Sequence, residues 1–499
     1  MLHQPLRPAA VRLVLIPACA LLALGVAGCA LVRRAAPADP LADYRAALAP
    51  GFAMTPSQLQ ALLAYSITVQ IDPASRAYTG TLEVTFPVTG TAPWQDVCFR
   101  LYPNLDQYEG QLDVTGASLN GITASYQYTS EHTAVQILPA QPLPIGTRAQ
   151  VRLGYTGQAP LNDDGTYTLF GQSDGILALP FFYPMMPARR GDKWSLDVAD
   201  PQGDYGFEES ALYQVDVTAP ADEIIAATGA ATRQTPRPDG QVTTHYVVGP
   251  AREFAMALSP RYQVLNGEAY GAQIHSYFLP EDADSGKAAL IDAIAAIQIY
   301  SNEFGPYPFR NMSAVEAPIG TQGQEFPGMS FLGSDDYRSH QDSLEVLIAH
   351  ESAHQWWYNQ VGNDRTQMPW LGDALAESSV YVYFADRHGV PAAELLRQQR
   401  WEAPVSYAAS AGHDAPIGLP VADYKQDNYE AIVYAKGALF MLALRDEVGA
   451  FQYRRGLQAY LDSCRWRIAT PDDLRHAMES VSRKDLRSLF DKWVGGAVG

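Results

Sequence analysis

Residues 344–357 read Leu344-Glu345-Val346-Leu347-Ile348-Ala349-His350-Glu351-Ser352-Ala353-His354-Gln355-Trp356-Trp357. Each residue of an α-helix turns about 100° from the last, so positions four apart share one face, one turn apart. His350 and His354 are such a pair, and two imidazoles so placed can both reach one divalent cation. Glu351, beside the first, can address a water held there. Leu344, Leu347, Ile348 and Ala349 lead into the motif, and Trp356 and Trp357 follow it. Three polar groups in so apolar a stretch would be costly unless they served a common purpose. The pattern predicts a helix over 343–358 that carries a metal centre.

A hydrolytic zinc site needs a third protein ligand and an open fourth position. Downstream, Trp370-Leu371-Gly372-Asp373-Ala374-Leu375-Ala376-Glu377 reads as a helix start. Asp373 and Glu377 lie one turn apart on one face. Either carboxylate could complete the site, and the other would then orient a histidine.

The chain on either side of this segment has two characters. From about 62 to 264 short β-type runs recur, as at 65–71, 81–86, 149–153 and 213–217. Their period of two, broken by Gly, Pro and Asn, predicts a half-buried antiparallel sheet or sandwich. After about 271 the spacing turns helical. Residues 285–303 carry Leu290, Ile294, Ile297 and Ile299, and Pro306 and Pro308 stop that helix. A β-type stretch at 312–317 follows. Further helices are predicted over 374–388, 392–401, 429–447, 451–462, 471–481 and 486–494. The fold class is therefore multidomain α+β, an N-terminal β domain followed by a mainly helical one. We find no sequence repeat, no low-complexity tract and no glycine-rich phosphate loop.

Composition narrows the function classes. The 499 residues are 47% hydrophobic and 18% charged, which excludes a disordered chain or a small disulfide-stapled scaffold. Net charge is -19, from 35 Lys+Arg against 54 Asp+Glu. So acidic a surface argues against nucleic acid as a partner, because phosphates need cationic contacts. Like charge on a soluble protein is its simplest meaning.

The N-terminus reads as an address. Arg7 and Arg12 precede an apolar run over 13–32 that closes on Val26-Ala27-Gly28-Cys29. A basic start and an apolar core describe a secretory signal. The closing residues resemble a bacterial lipobox, in which the cysteine carries lipid after cleavage. A retained transmembrane helix is the alternative, since 20 apolar residues can span a bilayer. Both place the rest of the chain outside the cytoplasm of a bacterial cell, tethered to a membrane of the envelope. Of the cysteines beyond the signal, Cys98 and Cys464 stand nearly the whole folded chain apart, and buried free thiols are expected rather than a disulfide.

With these residues in view, the chain resembles the aminopeptidase N family of gluzincin zinc metallopeptidases. That family's third ligand is a glutamate 18 residues past the second histidine, in a Trp-Leu-Asn-Glu-like context. Here residues 355 to 372 intervene and position 373 is an aspartate. The resemblance thus implies one Zn2+ per chain on His350, His354 and Asp373, with Glu377 in reserve. Aspartate is one methylene shorter, so the helix must sit closer or the metal bind more weakly.

Two further segments carry the likeness. Gly323-Gln324-Glu325-Phe326-Pro327-Gly328 resembles the family's Gly-x-Met-Glu-Asn signature on an edge strand of the cleft, with Gln324 and Phe326 replacing the usual Met and Asn. The resemblance gives Gly323 and Glu325 to substrate binding, the glutamate holding the free α-amino group. Val433-Tyr434-Ala435-Lys436-Gly437-Ala438 is similar to the Tyr-x-Lys-Gly-Ala segment whose tyrosine faces the scissile carbonyl, so the role falls on Tyr434, with Tyr429 as second candidate. Glu351 would be the proton carrier.

The N-terminal residues thus give a signal with lipobox over 1–29 and a linker over 30–55, and the family resemblance implies an antiparallel β saddle/sandwich domain over 56–265 and a thermolysin-like, mainly helical catalytic domain over 266–499. Residues 485–493 resemble the last helix of the catalytic domain, and the C-terminal β-sandwich and helical domain of longer members find no counterpart. Nor does the amine-binding residue that the family's N-terminal domain supplies. The implied function is that of a zinc-dependent aminopeptidase acting on peptides. The alternatives are a zinc endopeptidase or other zinc hydrolase on the same scaffold, or a peptide-binding lipoprotein of little catalytic power.

Overall fold

Alternation makes the first half a sheet. In the strand Leu63–Asp72, Tyr65, Ile67, Val69 and Ile71 are buried while Ser66, Thr68, Gln70 and Asp72 face outward. The computed structural model describes residues 41–162, 168–198, 200–320, 323–425 and 428–495. The expected signal and lipobox at Cys29, and the expected linker as far as residue 40, lie outside the described residues. Among those described, no helix is long and apolar enough to cross a membrane.

The β half is built on an eight-stranded sheet. Its spatial order is Ala230–Pro236, Gln241–Ala251, Ala211–Pro220, Leu63–Asp72, Ala77–Pro87, Arg148–Gln158, Gln111–Leu119 and Ile122–Thr123. One pair departs from the antiparallel expectation: Leu63–Asp72 runs parallel to Ala211–Pro220, with Tyr65 opposite Tyr213. A parallel pair needs a long crossover, and the intervening chain, which builds the remaining strands, supplies it. A two-stranded ribbon of Arg189–Arg190 and Lys193–Trp194, a four-stranded sheet and a three-stranded sheet complete this half among the described residues. Their buried faces share one apolar core with the large sheet.

The described part of the expected linker is packed. Leu41, Tyr44, Leu48 and Met54 bury against Leu212 and Val247 of the large sheet. The Ala49 amide also donates to the Pro308 carbonyl at 2.8 Å. Spaced apolar residues make the segment a strap that touches both halves of the chain.

The second half has a five-stranded sheet ordered Gln263–Ala269, Ala272–Phe278, Asn311–Ala317, Met329–Gly333 and Gly323–Phe326. Gln263–Ala269 therefore pairs into this sheet, and the division between sheets falls before residue 263. The period-two pattern continues into that strand, and the hairpin turn comes only at Tyr270-Gly271. Gly323–Phe326 is the antiparallel edge strand. The helix Ala283–Glu303 packs on the sheet and against the helix Gln341–Ala353.

The histidine helix is shorter than its apolar pattern. It ends at Ala353, with His354 as its cap, and the Asn359 amide donates to the His354 carbonyl at 2.9 Å. Trp356 and Trp357 leave the helix to bury their rings, donating to the Gly305 carbonyl at 2.9 Å and to Ser379 Oγ at 3.0 Å. The helices predicted over 392–401 and 429–447 contain π-helical segments, Arg397–Glu402 and Ala431–Lys436. Such segments recur at functional sites. Cys98 and Cys464 are free and buried.

Two arginines of the β half hold the segment that joins the histidine helix to the next one, Trp370–Arg387. Arg252 donates to the carbonyls of Tyr358 at 2.6 Å, Glu208 at 2.9 Å and Arg467 at 2.9 Å. Gly362 makes room for it, since a Cβ there would run into the guanidinium. Arg190 donates to both oxygens of Asp364, at 2.5 and 2.8 Å.

Candidate active site

The two histidines meet because the helix places them one turn apart. His350 Nε2 lies 3.1 Å from His354 Nε2. Each ring is steered from behind. His350 Nδ1 donates to Glu377 Oε2 at 2.8 Å, and His354 Nδ1 donates to the Trp357 carbonyl at 2.8 Å. With both Nδ1 protons turned outward, the two Nε2 lone pairs face one another. Burial, then the neighbouring His350, pushes the His354 pKa down to about 3, so its ring is neutral at ordinary pH.

The next helix, Trp370–Arg387, brings the carboxylates. Asp373 Oδ1 lies 3.6 Å from His354 Nε2. The ligand atoms of His350, His354 and Asp373 all fall within 4.8 Å of one another, and all three residues are buried. Glu377 serves the other histidine. Burial alone would raise its pKa, but Arg400 and the His350 hydrogen bond outweigh burial and hold it well below the carboxylate range. Arg400 Nε and Trp401 Nε1 donate to Glu377 Oε1 at 2.5 and 2.6 Å, both from the π-helical segment.

These residues fit a zinc ion. Two facing imidazole lone pairs repel unless a cation lies between them, and two nitrogens with one carboxylate oxygen are a zinc donor set. Burial, then the charges of Asp204, Asp373 and Glu377, pushes the Glu351 pKa well up. Burial, then Asp204, does the same to Asp373. A divalent cation would relieve both. Glu351 Oε2 is buried with no hydrogen-bond partner, as the acceptor for a water proton would be. Its carboxylate lies against the backbone of Gly323, where a Cβ would meet Oε1. A side chain there would force the Glu351 carboxylate and the Leu347 methyl to shift.

Glu325 lies on the edge strand, with Oε1 3.7 Å from His354 Nδ1. Tyr434 stands in a π-helical segment with its ring centroid 5.9 Å from that of His350. Burial, then Asp373 and Asp204, raises its pKa well above the usual phenol range, so the hydroxyl stays a donor. The Tyr429 ring centroid is 6.1 Å from that of Tyr434, and its buried hydroxyl has no partner.

Sequence reasoning missed four residues at this site. Arg400 and Trp401 close a helix predicted over 392–401 that carries no recognised motif. Arg365 stacks 3.7 Å from the Tyr358 ring centroid and pairs with Glu325. Asp204, from the β half, lies 3.4 Å from Arg365 and is among the charges that raise Glu351 and Asp373. No spacing links Asp204 to the motif. Tyr358 could have been suspected: it holds a φ of 128°, unusual for a residue with a side chain, and such strain concentrates at functional sites.

A buried His-Glu-x-x-His helix, a carboxylate on the following helix and a mixed sheet with an antiparallel edge strand thus lie together in the second half of the chain. Residues 293–493 match the model of the peptidase family M1 domain. The chain is similar to aminopeptidase M1-A of Oryza sativa subsp. japonica, 25% identical over 240 residues, 45% of this chain and 27% of that protein. It is also similar to endoplasmic reticulum aminopeptidase 1 of Rattus norvegicus, 23% identical over 385 residues, 72% of this chain and 40% of that protein. It thus spans well under half the length of these relatives. Its fold is that of the M1 zinc metallopeptidase from Deinococcus radiodurans, with a TM-score of 0.66 at 20% identity over 87% of this chain and 94% of that one.

Proposed function

We propose that this chain is a zinc-dependent aminopeptidase that removes N-terminal residues from peptides. The observation that carries it is the convergence of His350, His354 and Asp373 beside Glu351, whose Oε2 is buried without a partner. Zinc, when bound, supplies Lewis acidity toward a carbonyl oxygen. The chain's own groups do the rest. Glu377 and the Trp357 carbonyl hold the imidazoles with Nε2 inward. Glu351 takes a proton from the attacking water and returns it to the leaving amine. The Tyr434 hydroxyl donates to the oxyanion as it develops. Glu325 receives the substrate's α-ammonium.

The test is hydrolysis of an alanyl reporter by the purified chain, with and without chelator, beside the N-acetylated reporter. Chelator-sensitive turnover of the free-amine reporter alone is expected; turnover that survives metal removal defeats the proposal. An endopeptidase is the second reading, and one observation favours it: Arg365 already pairs with Glu325. Equal cleavage of the acetylated reporter would establish that reading instead.

We further propose that the chain is tethered to the bacterial envelope, outside the cytoplasm, through lipid on Cys29 or a retained N-terminal helix. The basic start and the apolar run ending in Val26-Ala27-Gly28-Cys29 support this. Lipid labelling that persists after Cys29→Ala would remove the lipid version.

A further inference from the structure

Glu325 does not lie open to a ligand. The Arg365 guanidinium pairs with its Oε1, and Gln324 Nε2 donates to its Oε2 at 2.7 Å. Arg365 has a second carboxylate within reach, as its Nη2 is 3.4 Å from Asp204 Oδ2. Its Nη1 donates to the Tyr205 carbonyl at 3.4 Å, and its face lies on the Tyr358 ring. One buried cation is therefore shared between an acid of the edge strand and an acid of the β half. Asp204 keeps 22% of its side chain exposed, whereas Glu325 and Arg365 are buried.

Charge decides what such a triad can take. A buried carboxylate without a counter-ion is costly, so Glu325 needs Arg365 while no substrate is present. An incoming ammonium must then replace the guanidinium, and a guanidinium stranded without a carboxylate would be as costly. Asp204 removes that obstacle. Two carboxylates against one guanidinium leave one net negative charge, which a single ammonium cancels.

We propose that Arg365 is a positioning residue that passes from Glu325 to Asp204 when the α-ammonium of a peptide arrives, so that the pocket accepts one free primary amine and excludes N-acylated peptides. This rests on the aminopeptidase reading of Glu325. A blocked terminus brings no cation, cannot displace Arg365 and leaves Glu325 closed. The exchange also ties substrate capture to an ion pair between the two halves of the chain.

The experiment measures kcat and KM of the zinc-loaded full chain on an alanyl reporter and its N-acetyl counterpart. Asp204→Asn leaves the guanidinium nowhere to go, and KM for the free-amine reporter should rise about tenfold with kcat little changed. Adding Arg365→Met to Asp204→Asn frees Glu325 and restores the net charge, so KM should return to within about threefold of wild type. A purely structural role for Arg365 would make the double variant worse than the single one, and a double variant no better than Asp204→Asn overturns the exchange. Should the double variant not fold, Asp204→Glu keeps the charge and should hold the wild-type KM, while a wild-type KM in Asp204→Asn overturns the exchange. If wild type cleaves the acetylated reporter equally well, the aminopeptidase reading falls and takes the exchange with it. If wild type selects the free amine but the double variant is not rescued, only the exchange falls.

Discussion

Glu377 Oε2 accepts a hydrogen bond from His350 Nδ1 at 2.8 Å. Asp373, one turn earlier on the same helix, faces His354 Nε2 instead. Two carboxylates that share a helix face thus turn to different histidines, Asp373 to the inward Nε2 of His354 and Glu377 to the outward Nδ1 of His350. Glu377→Gln should lower zinc affinity by about 10–100-fold without unfolding the chain, because the His350 ring loses its anionic partner. Competition with a zinc chelator reads this, and unchanged affinity would show that Glu377 is not needed to orient the ring.

Glu351→Gln should retain a full zinc complement, since the residue stands beside the donor set rather than in it. Turnover should fall by about 10²–10⁴-fold with the loss of the proton carrier. Metal analysis and kcat on the same preparation check it; near-normal kcat contradicts the assignment.

Tyr434→Phe should lower kcat by about 10²–10³-fold and move KM little, because the hydroxyl acts on the oxyanion and not on the bound substrate. If Tyr429→Phe gives that loss and Tyr434→Phe does not, the two tyrosines exchange roles.

Gly323→Ala should reduce both turnover and stability. The added Cβ would meet Glu351 Oε1 and Leu347 Cδ1. Overpacking of this kind typically costs about 1–3 kcal/mol. Gly116 is the control, since a Cβ there meets nothing within 4 Å. Equal kcat and equal melting temperature in the two alanine variants would remove the close-approach argument.

Burial pushes the Glu208 carboxyl up to about 8 and the Glu253 carboxyl up to about 7. Both values exceed that of an exposed glutamate, about 4.3. The folded chain therefore holds extra protons from that value up to about pH 8, and its stability falls as pH rises through this window. Glu208→Gln keeps an acceptor for Tyr102, which donates to Glu208 Oε1 at 2.5 Å. The variant should flatten the decline and melt higher than wild type near pH 8. Parallel melting curves from about pH 5 to 8 would contradict this.

The division into a β half and an α+β half was legible because strand alternation and helix spacing are local properties of the chain. The edges of that reading failed where tertiary contacts took over. The helix predicted over 343–358 ends at Ala353 because Trp356 and Trp357 find burial and hydrogen-bond partners outside it. The expected linker is a packed strap for its described part, because Leu41, Tyr44 and Leu48 meet Leu212 and Val247.

The sequence by itself determined that His350 and His354 share a face with Glu351 beside them, since 3.6 residues per turn is a property of the backbone alone. Helix geometry alone left Asp373 and Glu377 equivalent, because they share a face too; the family spacing favoured Asp373, and the placement of one helix against another puts Asp373 beside His354 and Glu377 behind His350. The sequence left the Arg365, Glu325 and Asp204 cluster unseen, because charges from three distant segments become neighbours only when the two halves of the chain pack together. Which groups lie on a surface follows from local geometry; which charges must neutralise one another follows from burial, and only the tertiary structure decides burial.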